Sequence, residues 1–243
     1  MAIPHGKYCK VLCDEYDLSS YFRQATTRNM VEPGETTTFG VTGSAKTYVT
    51  GLNDGGIDVD GLFDGAALAV DAYFGTIFGS STDRVISVAP NGVTIGNRVW
   101  QAGCIAVNYE VDAPVADVVS VSASFQADGG VTSGVSLWDL TSVSATANGT
   151  SVDNAAGTTN GGVAHLHITV NTRSNTVDIK GQHSTDNAAW GDLVSFTQVA
   201  ASTISKERKI VATGTTVNRY LRIVHTLGAG TGAVTYQASF ARR

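Results

Sequence analysis

The chain has 243 residues, of which 42% are apolar and only 15% are charged, and its net charge is −5. A surface so poor in charge must be rich in Ser, Thr, Asn and Gly, and an acidic chain without a basic run is not expected to grip nucleic-acid phosphates. The sequence contains no run of 18 apolar residues, so no membrane span is predicted. Its three cysteines lack the spacing of a disulfide framework, which fits a reducing compartment. With 27 glycines and 4 prolines among many Val and Thr, the composition favours β-structure with frequent turns.

Alternating apolar and polar residues predict strands in the first half of the chain. The first candidate is 20–30, and the Thr- and Gly-rich stretch 31–51 is interpreted as a long loop or an extended hairpin. Strand alternation returns in 56–63. A single short helix is predicted at 66–79, where Asp64 can serve as the N-cap.

A long antiparallel pair completes the first half. Its strands, 99–112 and 117–127, are joined at Ala113 and Pro114, and a shorter strand at 84–89 precedes them. Alternation predicts one apolar face and one face of small polar and acidic groups. The predicted apolar face of the first long strand carries Ile105, Val107, Tyr109 and Val111.

The second half repeats this order of elements. A Gly- and Ser-rich stretch at 129–134 is interpreted as a linker. The weakly amphipathic stretch 186–197 takes the place of the helix. The predicted strands are 163–170, 176–183, 206–212, 219–227 and 233–241.

Four short sequence echoes, roughly 120 residues apart, suggest an internal duplication. Tyr16-Asp17-Leu18 returns as Trp138-Asp139-Leu140, and the segment 56–61 resembles 176–181. The other two echoes link Asn97-Arg98 with Asn218-Arg219, and 122–125 with 237–240. We therefore predict two tandem β domains, 1–130 with an N-terminal arm and 131–243.

Candidate chemical sites are few. His165 and His167 lie two apart on a predicted strand, as a metal pair would require, but they lack a nearby carboxylate or Cys ligand and are expected to face solvent. No nucleophile elbow or isolated acid pair is present, so no catalytic residue is predicted. We expect a protein that is not an enzyme and that has neither cofactor nor metal.

The stretch 17–130 resembles the major tail tube proteins of bacteriophages, especially those of siphophages. The resemblance is carried by Glu35-Thr36-Thr37-Thr38-Phe39-Gly40, by Lys46-Thr47-Tyr48, and by Gly51-Leu52-Asn53-Asp54-Gly55 leading into 57–65. It continues in Pro114-Val115-Ala116-Asp117 and the Ser-rich strand to Phe125. The second half is similar to the extension of such tube domains, through Asn160-Gly161-Gly162, Asn218-Arg219-Tyr220 and the end at 239–243.

The resemblance implies a mainly β fold of two tandem β-sandwich domains, with one short helix in the first domain. Long antiparallel strands would join those of neighbouring subunits into a closed barrel around a channel. Short hydroxyls and carboxylates suit a channel through which double-stranded DNA passes without being held. The implied lumen residues are Asp58, Asp60, Asn108, Glu110, Asp112, Ser120, Ser122 and Ser124.

The resemblance also implies an assembly and a location. Two domain copies in one chain could close a sixfold ring as a homotrimer with pseudo-sixfold symmetry, and a homohexamer is the alternative. The rings would stack into a tail tube that meets a tape measure protein and tail terminator or baseplate proteins. The protein would be assembled in the bacterial cytoplasm and reside in the virion tail, without membrane insertion. Contacts between subunits or rings are expected at Glu35, Thr36, Thr37, Phe39, Lys46 and Tyr48.

Two other functions compete with the tube. The second half could be a surface-exposed, carbohydrate- or host-binding β-sandwich, in which Trp138 or Trp190 stacks on a sugar. The chain could also decorate a capsid, where it would form spikes instead of hollow filaments.

Overall fold

The computed structural model describes residues 5–40, 43 and 45–243. The first half begins with a 3-10 turn, Gly6–Tyr8. It continues with β1 (Lys10–Cys13), β2 (Tyr16–Asp17), β3 (Phe22–Glu35), β4 (Tyr48–Leu62), α1 (Val70–Ile77), β5 (Arg84–Ala89), β6 (Arg98–Asp112) and β7 (Ser120–Val143). The second half contains β8 (Ala147–Asn148), β9 (Val152–Asp153), β10 (Gly162–Asn171), β11 (Val177–Ser184), β12 (Gly191–Ser195), β13 (Ser205–Val211), β14 (Tyr220–Leu227) and β15 (Val234–Arg242).

The mainly antiparallel β fold predicted from the sequence is confirmed, and every predicted strand forms. Alternating side chains specify strands well because the two faces of a strand are chemically different. The stretch 31–51 forms an extended hairpin, since β3 continues to Glu35 and β4 begins at Tyr48. The stretch 186–197 forms a tight turn followed by β12.

The helix is shorter than predicted. It begins at Val70, and Ala69 occupies the N-cap position without a side-chain hydrogen bond. The carboxylate of Asp64 instead accepts a hydrogen bond from the Ala66 N–H at 2.9 Å, in a separate turn before the helix. Leu68 then has a φ of 67°, which interrupts the helical path until Val70. Gly79 follows the helix with a φ of 78°, as predicted for a terminating glycine.

A single strand, β7, connects the two halves. Its first part pairs with β4, its last part pairs with β15, and β6 pairs with it along most of its length. The predicted linker at 129–134 therefore lies inside a strand of 24 residues. Gly129 and Gly130 have φ values of 80°, which a chain turning sharply within a strand requires. The ten-stranded sheet consequently runs without interruption from one half to the other.

The sequence echoes do not take equivalent positions in the sheets. The segment 56–61 pairs with 121–126 within the ten-stranded sheet. Its echo at 176–181 lies instead in the five-stranded sheet, where it pairs with β14. The echo of 122–125, at 237–240, belongs to the ten-stranded sheet. Short echoes are compatible with either pairing, because period-two alternation specifies faces and not partners.

Two main hydrophobic cores lie on either side of a central layer. The first contains Phe74, Phe125 and Ile57 and packs helix α1 against the sheet. The second contains Tyr236 and Phe240 and fills the space between the large and small sheets. Strands β5 and β6 of the first half and β10 and β15 of the second face each other across the layer between these cores.

Candidate channel and assembly surface

A four-stranded part of the large sheet carries the predicted channel residues. Its strands lie in the order β3, β4, β7, β6, and all neighbours are antiparallel. Side chains at successive positions of each strand alternate between the two faces. One face packs on the first core, and the other face is free of covering elements in the described part of the chain.

The eight predicted lumen residues all lie on the free face. Directly opposite residues of paired strands share a face, so the register arranges these side chains in rows. Asp58 is opposite Ser124, which is opposite Asn108. Asp60 is opposite Ser122, which is opposite Glu110, and Ser120 is opposite Asp112. The structure therefore brings together all of these residues from three separate segments of the chain.

The predicted apolar face of β6 is wrong in part. The register shifts between Ala106 and Asn108, so a β-bulge interrupts the alternation. Tyr109 packs on the first core opposite Ala123, as predicted. Ile105 instead lies opposite Gln126 on the free face, and Val107 is 49% exposed. One extra residue in a strand reverses the facing of every position beyond it.

The free face has a negative balance. Asp58, Asp60, Glu110 and Asp112 bring four carboxylates, against the guanidinium of Arg28. Arg28 Nη1 lies 2.8 Å from Asp58 Oδ2, in a pair that is half exposed on its arginine side. Three serine hydroxyls follow one another along β7, between the carboxylates of β4 and those of β6. Such a surface repels phosphates and offers few fixed contacts to a passing polyanion.

Helix α1 supports the other side of this sheet. The ring of Phe74 lies 5.4 Å from that of Tyr109 and 5.7 Å from that of Phe125, between centroids. The Tyr109 hydroxyl donates a hydrogen bond of 2.6 Å to Asp71 Oδ1 at the start of the helix. Burial and this bond to a carboxylate raise the pKa of Tyr109, so its hydroxyl stays a donor. The aromatic packing fixes the curvature of the polar face from behind.

Both edges of the four-stranded part are unpaired in the described residues. Strand β3 pairs only with β4, and residues 105–112 of β6 pair only with β7. An exposed strand edge presents a row of unsatisfied N–H and C=O groups, which readily pair with another strand. The two edges run in opposite directions, so the β3 edge of one copy could continue antiparallel from the β6 edge of the next.

The six residues predicted for inter-subunit contact lie at the tip of the β3–β4 hairpin. Glu35 and Lys46 form an ion pair of 2.9 Å across it, and the Thr36 N–H bonds to the Thr47 carbonyl at 2.8 Å. Phe39 is fully exposed, and Tyr48 is 55% exposed. Of the loop that follows Gly40, residues 41, 42 and 44 lie outside the described residues. The hairpin is thus closed by polar contacts and displays apolar side chains to the surroundings.

Below the tip, the same hairpin leaves the sheet. Its pairing with β7 ends at Gly56, whereas its two strands continue as far as Glu35 and Tyr48. Met30 and Leu52 are 52% and 86% exposed on this free part. We call residues 29–55 the arm. Exposed apolar side chains on a protruding hairpin are typical of a contact surface.

A second polar region, the seam, was not anticipated from the sequence. His165 and His167 are fully buried between the two halves, so the expectation that they face solvent is wrong. Ser87 Oγ lies 3.2 Å from His165 Nδ1 and 2.8 Å from His167 Nε2. His167 Nδ1 lies 2.7 Å from the carbonyl oxygen of Asp14. The seam consists of Asp14, Ser87, Gln101, His165, His167, Gln237 and Ser239.

The hydrogen bonds of the seam assign its protons. A carbonyl only accepts, so His167 donates from Nδ1 to Asp14 and accepts the Ser87 hydroxyl proton at Nε2. Ser87 then accepts from His165 Nδ1, and both imidazoles are neutral because burial disfavours their charged forms. Burial lowers the pKa of His167 to about 4, and it lowers that of His165 well below its usual value. Strand β10 gave a hint of this in the sequence, since an otherwise apolar run holds both histidines.

Asp14 anchors the seam from the first half. It is completely buried at a φ of 52°, and its Oδ1 accepts the Val85 N–H at 2.8 Å. Its Oδ2 lies 3.0 Å from Lys206 Nζ and 3.3 Å from Arg84 Nη1. Lys206 belongs to the second half, so this buried carboxylate joins the two halves by charge.

The described residues contain no group of three or more His, Cys, Asp or Glu side chains that could hold a metal ion. Over the same residues, no helix is long and apolar enough to cross a membrane.

Comparison with known proteins gives low-identity overlaps only. No family model matches the chain, and no curated relative is found. The tail of an empty gene transfer agent particle, refined with C6 symmetry, matches 54% of this chain over 98% of its own chain, with 14% identity and a TM-score of 0.44. The tail tube of phage SPP1 matches 54% of this chain over 78% of its own length, with 13% identity and a TM-score of 0.42.

Other overlaps extend over nearly the whole chain. The SPP1 Dit protein, from the hub adsorption apparatus of phages that infect Gram-positive bacteria, covers 97% of this chain and 99% of its own, at 14% identity and a TM-score of 0.39. Overlaps at this level are too loose to assign a function. The surfaces of the chain itself must therefore support any assignment.

Proposed function

We propose that this chain is a structural protein of a phage tail, whose copies close into rings that stack into a tube for genome passage. The observation that carries the proposal is the four-stranded sheet with two free edges and one acidic, serine-rich face. Pairing of those edges between copies would close a barrel and satisfy the exposed backbone groups. The uncovered polar face would then line the channel.

The number of copies follows from the strand count. Strands about 4.8 Å apart and tilted by about 40° close at a backbone diameter of roughly 24 Å for twelve strands and 48 Å for twenty-four. A layer of inward side chains occupies about 5 Å on each wall, half of the usual spacing between packed sheets. Twelve strands would leave roughly 14 Å, too little for a DNA duplex whose two grooves are together about 16 Å deep. Twenty-four strands leave ample room.

This geometry favours six copies over three. Each chain contributes the four strands of the channel sheet, so six chains supply twenty-four strands. A trimer needs the second half to add four more barrel strands, but β10, β15 and the end of β7 are already paired within the chain. We therefore propose the homohexameric ring, the alternative to the trimer expected from the sequence repeat.

Stacking of rings is assigned to the arm. Its tip presents Phe39 and Tyr48, and its stem presents Met30 and Leu52, all exposed in one copy. At the ends of the tube the same surfaces would meet terminator or baseplate proteins, and the channel would hold a tape measure protein before DNA. The protein would be assembled in the bacterial cytoplasm and would act in the virion tail as a non-enzymatic component.

The carbohydrate-binding alternative for the second half has less support. Trp138 is half-buried and stacks on Tyr236 at 5.5 Å between ring centroids, so one of its faces is occupied within the second half. The guanidinium of Arg222 lies 4.1 Å from the ring centroid of Trp190 and occupies one of its faces. A glycan array probed with the full chain would test this alternative, since β7 is shared and the half is not separable.

Electron microscopy of the purified protein tests the main proposal. We expect hollow filaments or rings with six equivalent chains around an open channel. A threefold ring would contradict the copy number, and spikes or compact monomers at high concentration would contradict the function. Rings that never stack would point instead to a single hub position in a tail.

A variant without the arm tip separates closure from stacking. Replacing 36–47 by Asn-Gly shortens the hairpin to a two-residue turn, which suits antiparallel strands. We expect a folded protein that forms rings but no filaments. Filaments of normal length would show that the arm tip does not mediate stacking.

A further inference from the structure

A groove lies beside the free edge of β3, on the core side of the sheet. It measures 580 Å³ and runs between the N-terminal segment 5–11 and the beginning of β3. Val11, Phe22 and Ala25 contribute apolar walls. Lys7 and Arg23 also line it and are exposed, and among the described residues neither has an acidic partner within ion-pair distance. The groove therefore combines apolar walls with positive charges that have no acidic partner.

The turn between β6 and β7 has complementary properties. In residues 113–119, Val115 is fully exposed and Val118 is 53% exposed. Asp112 precedes the turn and Asp117 lies within it, and both are exposed without a basic partner in the described chain. An isolated valine at full exposure is unremarkable, but a valine two residues from the unpaired Asp117 carboxylate matches an apolar groove with the opposite charge.

The strand register places turn and groove at the same end of the sheet. Val111, Val121, Gly61 and Phe22 lie in one row across the four strands. In a closed ring the β6 edge of one copy runs beside the β3 edge of the next. The tilt of barrel strands shifts each strand by about 1.2 residues relative to its neighbour, or about five residues over four strands. With the right-handed tilt, Val111 reaches Thr27 of the neighbour, and the turn beyond it reaches residues 20–25.

We propose that the groove receives the 113–119 turn of the adjacent copy in the ring. Val115 would fill the apolar part against Phe22 and Ala25, while Asp117 faces Lys7 and Arg23. The contact rests on the proposed ring and adds a side-chain lock to the backbone pairing of the edges. Because strand pairing alone can slip in register, the lock would also fix which residues of the two edges meet.

Site-directed crosslinking tests the contact. Cys9 lines the groove and is partly buried, so a V115C variant would place two thiols near each other only between copies. A short bis-maleimide adds one thiol to each of its two double bonds and needs no oxidant. We expect a ladder of covalent oligomers that ends at the closed ring. V115C combined with C9S should give no ladder, and neither should V170C, whose parent valine is 50% exposed in the second half.

A charge exchange provides an independent test that does not depend on Cys9. Arg23→Asp and Asp117→Arg should each raise the concentration needed for ring formation by about tenfold or more, and the double variant should recover most of the loss. Wild-type rings without the crosslink, and without recovery in the double variant, would overturn the docking contact but leave the proposed function standing. A wild-type protein that forms no rings at all would overturn both.

Discussion

The channel face and the seam are both polar surfaces on the same sheet, yet they differ in solvent exposure and in hydrogen bonding. Side chains of the channel face are exposed or half-buried, and few of them bond to one another. Those of the seam are buried, and hydrogen bonds run from the Asp14 carbonyl through His167 and Ser87 to His165. A hydrated polar group costs little to change, whereas a buried one must keep its partner. We therefore expect substitutions in the seam to affect folding, and those on the channel face to affect function.

Loss of the Asp14 carboxylate should give the largest effect. Asp14→Ala leaves Arg84 without a counter-charge, leaves Lys206 with Glu15 alone at 3.4 Å, and removes the acceptor for the Val85 N–H, so we expect a loss of about 3–5 kcal/mol in the free energy of unfolding. Urea denaturation measures it. Asp14→Asn keeps the acceptor and the left-handed backbone preference, so it should lose less. Asp60→Ala on the channel face should stay within about 0.5 kcal/mol. Equal losses for Asp14→Ala and Asp60→Ala would remove the distinction between the two surfaces.

Acidification should weaken the seam selectively. Burial lowers the folded-state pKa of His167 from 6.5 to about 4, so the unfolded chain binds more protons as the pH falls. Stability is then complete above about pH 6.5 and declines until about pH 4, by about 3 kcal/mol from this residue. Urea unfolding at a series of pH values measures the slope.

Matched histidine variants assign that slope. His167→Gln should reduce the slope and leave the part that belongs to His165, whose pKa burial also lowers, whereas His5→Gln, at an exposed position, should leave the slope unchanged. The Asp186 carboxylate has a pKa lowered to about 2 by backbone N–H bonds, so its contribution is lost only below about pH 4 and does not interfere. A flat profile in the wild-type protein between pH 7 and pH 4.5 would contradict the neutral, buried state of the histidines.

Charge reversal on the channel face should change DNA contact with little effect on folding. We expect Asp60→Lys with Glu110→Lys to alter stability by less than about 1 kcal/mol, since both sites are exposed. Assembled tubes of this variant should retain duplex DNA at low salt and release it as salt rises, with a steeper salt dependence than wild type. Filter binding across a salt series measures it. The pair Asp83→Lys with Asp139→Lys adds the same charge elsewhere, and equal retention by both pairs would contradict the lumen assignment.

The smallest effect is expected at the ion pair between Arg28 and Asp58. Arg28 is 52% exposed on its side chain, so a double-mutant cycle with alanine should give a coupling of about 0.2–1 kcal/mol that decreases with salt. Urea unfolding of the four proteins measures it. A coupling above about 2 kcal/mol would mean that this part of the face is less hydrated than its exposure indicates.

Some of the site was accessible from the sequence because it depends on local alternation. Ser120, Ser122 and Ser124 alternate with buried residues, and that period alone puts them on one face. The same reasoning failed at Val107, where a bulge shifts the phase, because nothing in the residues from Ile105 to Tyr109 announces an extra position. It also failed for His165 and His167, since alternation shows that two side chains share a face but not which element covers that face.

Local sequence patterns specify the strands, the short helix and, wherever no bulge interrupts the alternation, the composition of each strand face. These features depend on neighbours two to four residues apart, and backbone geometry converts them directly into structure. Long-range packing sets three other features: β7 serves both halves, the echoes at 56–61 and 176–181 belong to different sheets, and the two histidines are buried against Ser87. Pairing between distant strands is chosen by the total burial and hydrogen bonding of the folded chain, which no short segment of sequence contains.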